Sequence, residues 1–460
     1  MRLKFLDREN EKARLTRALS GAEGSFCCIY GRRRCGKSRL LQEVLKSRKA
    51  VYYAGDEREA TLQREALASA VADVVEGFDQ VAYPDWNSLL ERWWRDAPPG
   101  SVMALDEFPY LVKNSPDLPS LLQKLIDQNQ PGQIHLVVSG SSQQMMHGLV
   151  LDASAPLFGR AQEIVRVKPL GPAWVENAFK TSKPSEMLEI YSCWGGVPRY
   201  WELAVDYPTS REAVEKLVLD PMGVLHNEPR RLLADDLRET TQAASVLSLI
   251  GRGCHRLSEI AARLGKPATS LTRPLSRLLD LGLVRREQPF GAPPRSGKRS
   301  LYKIDDPFLA FWFRYVEPNR SRLEAGVVTP VARAIETQID YHRGEVWEDL
   351  SRRSVPHMTI DGIEWSSASR WWGTGLDRAP LEIDIVAESA DGESLLVGEA
   401  KLSLGRKDQE RVRSELARKV ELFPDARNYK RVVQRLFIVG PESPHSEMLV
   451  SGKAVFRALA

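Results

Sequence analysis

The chain has 460 residues, 43% of them hydrophobic and 27% charged, and a formal net charge of +4. It is long enough for about three soluble domains. No run reaches the ~18 apolar residues that a membrane span requires, and the opening MRLKFLDREN is charged throughout, so a cytoplasmic protein without a membrane partner is expected. The five cysteines, Cys27, Cys28, Cys35, Cys193 and Cys254, are odd in number and lack metal-ligand spacing, which argues for reduced, buried thiols rather than a disulfide framework. A net charge this small decides nothing by itself, so its distribution along the chain carries the information.

In chain order, Glu11 to Leu19 reads as an amphipathic helix, and Phe26 to Tyr30 as an apolar strand. That strand runs through Gly31-x4-Gly36-Lys37-Ser38 into a helical pattern, which is a P-loop in its expected setting. The glycines let backbone N–H groups approach phosphate oxygens, and the loop residues Arg32, Arg33, Arg34 and Cys35 complete the cradle. The helix N-terminus adds partial positive charge, Lys37 reaches the β- and γ-phosphates, and the Ser38 hydroxyl ligates Mg²⁺. ATP and Mg²⁺ are the expected cofactors. Further strands are expected at Val51–Ala54, Val102–Leu105, Ile134–Val138 and Glu163–Val167, with helices at Thr61–Val75 and Asn87–Arg95. Trp93 and Trp94 read as core residues. Strands alternating with helices imply a parallel, doubly wound sheet.

Asp106-Glu107 closes an apolar strand, so both acids are expected at the carboxyl edge of the sheet beside the P-loop. There Asp106 would hold Mg²⁺ through water, and Glu107 would orient the attacking water. The single strand at Val51, between the P-loop helix and the acidic strand in sequence, suggests the additional-strand class of P-loop ATPases. Ser139 or Ser141, at the end of the next strand, is the candidate γ-phosphate sensor, and Arg160 in PLFGR the candidate phosphate contact in cis or in trans; an exposed structural arginine is the competing reading of Arg160.

Residues 170 to 240 read as helical, and YSCWGGVPRYW (191–201) as a joint that packs under the ATPase rather than one that does chemistry. Three short helices follow, at 243–250, 257–264 and 268–279, and then a hairpin of Leu283–Arg286 with Ser300–Ile304, the pattern of a winged helix. Between residues 251 and 304 there are twelve bases and three acids, a surplus of nine, which leaves the rest of the chain near −5. Such a concentration reads as a phosphate-backbone binder, with Arg273, Arg277, Arg285, Arg286, Lys298 and Arg299 as candidate DNA contacts; protein docking is the competing use of such a module.

Toward the carboxyl end, the strands Leu381–Val386 and Leu395–Lys401 are separated by an Asp391-Gly392 turn. Alternation puts Glu399 and Lys401 on one strand face, and the partner strand can set Asp384 beside them. Glu348, on the helix RGEVWE, can add a third carboxylate. Asp384…Glu399-x-Lys401 is the layout of a metal-dependent nuclease, with Asp384 and Glu399 on Mg²⁺ and Lys401 steadying charge at phosphorus, whereas an amphipathic hairpin with wet charges is the alternative.

The stretches FLDREN, IYGRRRCGKSRLL, ALDEFPYL, VVSGSSQQMM, APLFGRAQEI, GGVPRYWEL, IDDPFLAFWFRYV, GEVWEDL, EIDIVA and GEAKLS together resemble the prokaryotic, archaeal-type ATPases of the STAND/AAA group that carry a C-terminal PD-(D/E)XK-like domain. Cys35 departs from the small aliphatic residue expected there. The resemblance implies ATP binding and hydrolysis through Gly36, Lys37, Ser38, Asp106 and Glu107, a winged-helix linker, and a nuclease-like fold carrying Glu348, Asp384, Glu399 and Lys401. The expected fold class is a multidomain α/β protein: a P-loop NTPase sheet over 1–170, a helical connector over 171–242, a winged helix over 243–316, and a restriction-endonuclease-like α/β domain over 317–460. The expected function is nucleotide-controlled DNA binding with metal-dependent cleavage, possible as a homo-oligomer; the alternative is a nucleotide-controlled switch or transcription regulator whose last domain binds without cutting.

Overall fold

The computed structural model describes residues 3–128, 134–237, 240–293, 299–440 and 447–460. Two compact units emerge, Asp7–Pro169 and Leu170–Ala460, the latter joined by the described residues up to Leu6. The connector, three-helix segment and last domain expected as separate pieces thus pack as one unit.

In the first unit five parallel strands, β1 (Phe26–Tyr30), β2 (Ala50–Ala54), β3 (Val102–Asp106), β4 (His135–Gly140) and β5 (Glu163–Arg166), lie in the order β2-β3-β4-β1-β5. The strand inserted in space between the P-loop strand and the acidic strand is therefore β4, while β2, which lies between them in sequence, is at the edge. β3 and β4 are buried along their whole length, as central parallel strands require, whereas the edge strand β5 alternates buried and exposed. Helix Trp86–Asp96 starts where the Asp85 carboxylate accepts the Ser88 N–H at 2.8 Å, and it delivers Trp86, Leu89, Leu90 and Trp93 to the core. Trp94 packs against the same core.

In the second unit, helix Pro184–Trp194 ends in the Gly195-Gly196 joint. Trp194 and Tyr200 close on Phe308, with ring centroids 6.5 and 4.6 Å away. The aromatic joint is thus built onto helix Pro307–Phe311 of its own unit. Gly196 is fixed by packing, because a Cβ there would collide with the Leu170 carbonyl. Helices Thr240–Gly251, Leu257–Arg263 and Thr272–Asp280 precede an antiparallel ribbon of β6 (Val284–Glu287) and β7 (Leu301–Ile304). Helices Arg320–Glu324 and Val328–Glu336 lead to the long helix Ile339–Ser354.

A small hairpin of β8 (Thr359–Ile360) and β9 (Ile363–Glu364) comes next. The second sheet runs β10 (Ser369–Thr374), β11 (Pro380–Glu388), β12 (Ser394–Lys401), β13 (Arg431–Ile438) and β14 (Leu449–Ser451), in that order. β10 to β12 pair antiparallel, and β13 and β14 then join parallel, after helix Arg406–Leu422 makes the crossover between β12 and β13. Trp347 anchors the long helix to the sheet by donating its indole N–H to the Phe437 carbonyl at 3.0 Å. All five cysteines are free and buried.

Candidate functional site

The P-loop leaves β1 at Gly31 (φ 147°), whose absent side chain lets the Val167 carbonyl lie against the backbone; a Cβ there would collide with it. Gly36 differs, since a Cβ would meet no atom within 4 Å, and what selects glycine is φ 91°. Arg34 also takes a left-handed conformation, at φ 67°. Lys37 is only 4% exposed, and its Nζ donates to the Arg32 carbonyl at 3.2 Å, so the ammonium is folded into the loop it serves. Cys35 is fully buried, and its carbonyl accepts from Arg8 at 3.4 Å. Arg8, buried at the start of the first helix, also donates to the Lys168 carbonyl and so ties the loop to the end of β5. Nothing in the sequence around Arg8 signals this role.

Asp106 ends β3 almost wholly buried. Its Oδ2 accepts the Tyr52 hydroxyl at 2.7 Å, and its Oδ1 accepts the Glu107 N–H at 3.0 Å. The Ser38 and Gln42 side chains lie within hydrogen-bonding reach of the same Tyr52 hydroxyl. Burial first, and then the Asp106 carboxylate, push that phenol's pKa well up. One phenolic oxygen thus lies near both Ser38 and Asp106, the two oxygen donors expected for Mg²⁺. A cation held there would compete with the phenol for both. Tyr52 has no motif and reads in the sequence as an ordinary strand aromatic.

Glu107 sits in the left-handed region (φ 48°, ψ 42°), a conformation that costs a non-glycine residue about 1–2 kcal/mol. It is retained where Ser141 grips the carboxylate, its N–H at 3.1 Å and its hydroxyl at 2.8 and 2.7 Å from the two oxygens. Of the two serines considered as sensors, Ser141 therefore meets the acid, while Ser139 lies fully buried opposite Ile29 in the β1–β4 register. The Arg160 guanidinium forms a two-pronged pair with Asp127 at 2.8 and 2.9 Å and donates to the Pro156 and Phe158 carbonyls.

In the second unit, β11 and β12 bring Asp384, Glu399 and Lys401 together. Asp384 Oδ2 accepts the Ala400 N–H at 3.1 Å, and Glu399 Oε2 lies 3.1 Å from Lys401 Nζ. Glu399 Oε1 is also bound by Lys419, from helix Arg406–Leu422, a partner hidden in sequence among the other charges of that helix. Glu348 comes from the long helix. Burial and then the charge of Asp384 raise the pKa of both Glu348 and Glu399. Burial disfavours the Lys401 ammonium, but Glu399, Asp384 and Glu348 outweigh it and raise its pKa. Arg352 braces the corner, reaching the Asp384 carbonyl at 3.0 Å and Glu348 at 3.7 Å. Among the described residues no group of three or more His, Cys, Asp or Glu is arranged to hold a metal ion, so the acids are neighbours without forming a closed ligand set.

The expected DNA-binding residues divide. Arg273 is exposed and Arg277 half-buried on helix Thr272–Asp280. Arg285 lies 2.9 Å from Glu287, 3.2 Å from Asp349 and 3.4 Å from Asp305. Arg286 donates to the Ser300 hydroxyl at 2.7 Å, and Arg299 donates to the Trp372 carbonyl, both residues remaining exposed. Lys298 lies outside the described residues.

Residues 5–203 match an ATPase domain predominantly from Archaea, and residues 312–412 match archaeal and bacterial proteins of unknown function. An uncharacterized protein of Methanocaldococcus jannaschii is 29% identical over 93% of this chain and 95% of its own length. A Walker-type ATPase of Pyrococcus abyssi superposes with a TM-score of 0.51 at 20% identity, over 67% of this chain and 96% of that one, a likeness of fold. The ORC2 protein of Aeropyrum pernix gives 0.47 at 15% identity, over 73% of this chain and 96% of its own. Among the described residues no helix is long and apolar enough to cross a membrane. The chain carries a P-loop ATPase domain of the archaeal type, followed by an α/β region shared with proteins whose function is unknown.

Proposed function

We propose that the ATPase unit uses Lys37, Ser38, Asp106 and Glu107 to bind Mg·ATP and direct water at it, and that this cycle governs a nucleic-acid-cleaving site at Glu348, Asp384, Glu399 and Lys401. The approach of Asp384, Glu399 and Lys401 on adjacent strands, with Glu348 from the long helix braced by Arg352 against Asp384, carries the nuclease half of the reading. Mg²⁺ bound there would neutralise like charges and supply a polarised water, while Lys401 offsets charge at phosphorus. The order helix, three antiparallel strands, crossover helix and parallel strand supports a restriction-endonuclease-like domain, and three helices with a ribbon support a winged helix. Arg273 and Arg277 are its candidate backbone contacts.

The second reading is a nucleotide-controlled binding switch. The observation favouring it is that Lys401 and Lys419 already neutralise Glu399. Incubating plasmid with the protein in Mg²⁺ or Mn²⁺, with ATP, ADP or no nucleotide, separates the two. Cutting that disappears in Asp384→Ala supports the nuclease; intact plasmid in every condition, with DNA still bound, supports the switch.

A further inference from the structure

Within the second unit a groove of about 900 Å³ runs between His255, Arg256 and Lys303 on one wall and Tyr341, Glu348 and Asp384 on the other. It continues into a second depression of about 510 Å³ through shared residues that include Arg256 and Trp372. The two ends differ in charge. Carboxylates, Glu348 and Asp384 among them, line the first end, whereas among the described residues no acid lines the second. Within the first, Lys303 is matched by Glu345 at 3.3 Å and Arg370 pairs with Glu382, while Arg256 is exposed at the junction and Arg299, also exposed, lines the second. Trp372 is half-buried at the same junction, with its carbonyl held by Arg299 and the side-chain-free Gly373 beside it. Tyr341, 66% exposed, presents a second ring at the acidic end, with the Arg314 guanidinium over one face at 4.9 Å.

Flat rings spaced along a groove that carries cations at one end are the elements with which proteins hold a single strand, each ring accepting a base of any identity.

We infer that the groove takes single-stranded nucleic acid, or the frayed end of a duplex, with the backbone passing Arg256, a base on Trp372, and the next phosphate presented to Asp384 and Glu348. This rests on the nucleic-acid reading above and gives it a substrate class. The test is fluorescence anisotropy of the full chain in EDTA with a labelled 12-nucleotide single strand and the blunt duplex of the same sequence. The single strand should bind more tightly than the duplex. Trp372→Ala should weaken strand binding about tenfold, within the usual range for one stacked base. Trp372→Phe should restore most of it, which distinguishes stacking from loss of fold, and Arg256→Glu at an exposed position should weaken it at least as much as Trp372→Ala. Arg273→Glu should reduce duplex binding and leave strand binding unchanged. Strand binding that stays within twofold in both Trp372→Ala and Arg256→Glu, while either oligonucleotide still binds, overturns the groove assignment and leaves the nucleic-acid reading standing. Absence of binding by both oligonucleotides at low salt overturns both.

Discussion

Glu287 is the one acid on the ribbon, and replacing it with Gln tests how the ribbon is held to the last domain. Its carboxylate meets Arg285 at 2.9 Å, Arg370 at 3.8 Å and Arg352 at 4.0 Å, with its side chain 13% exposed. Burial alone would raise its pKa, but Arg285, Lys303, Arg352 and Arg370 outweigh burial and bring it from 4.5 down to about 2. That difference corresponds to about 3 kcal/mol of stability at neutral pH. The sign follows from a folded value below the unfolded one: the contribution is full above about pH 5 and is lost as the pH falls toward 2. Urea unfolding of wild type and Glu287→Gln, followed by tryptophan fluorescence, should show a gap of about 3 kcal/mol at pH 7 that shrinks to less than half by pH 3. A gap under about 1 kcal/mol at pH 7, or one that is constant between pH 7 and 3, would refute the assignment of this cluster as a stabilising anchor.

Tyr52→Phe removes a hydroxyl that competes for the Ser38 and Asp106 oxygens, so the Mg²⁺ concentration giving half-maximal binding of a fluorescent ADP analogue should fall severalfold. An unchanged or higher Mg²⁺ requirement contradicts that competition. Gly31→Ala forces a Cβ into the Val167 carbonyl and should destabilise the ATPase unit by about 2 kcal/mol or more in urea unfolding, through backbone displacement. Gly36→Ala enters open space, so the cost is that of its left-handed backbone, about 1–2 kcal/mol. The folded variant should lose nucleotide affinity in the same binding assay. Equal destabilisation by the two glycine variants would mean that the loop is not held by Val167.

The charge surplus of the three-helix segment illustrates where reading from composition stops. Counting bases identified a positive region, but Arg285, Lys303 and Arg252 face Asp349, Glu345 and Glu317 from later parts of the chain. Part of the surplus therefore neutralises neighbours. Arg256, Arg263, Lys266 and Arg273 remain exposed. A sum over sequence records charge without recording what it faces, and at distances near 3 Å the facing partner dominates.

The local pattern alone determined the elements whose causes are local. Apolar runs specified β1, β3 and β4, the glycine and lysine spacing specified the P-loop, and strand alternation placed Glu399 with Lys401. Only the tertiary structure set Tyr52 across Ser38 and Asp106, Arg8 against the loop carbonyl, Lys419 on Glu399, and β4 between β1 and β3. Each of these joins residues far apart in the chain through a side chain whose neighbours in sequence carry no trace of its partner. A contact of that kind is created by packing, when burial leaves a polar group no choice but the partner the fold brings to it.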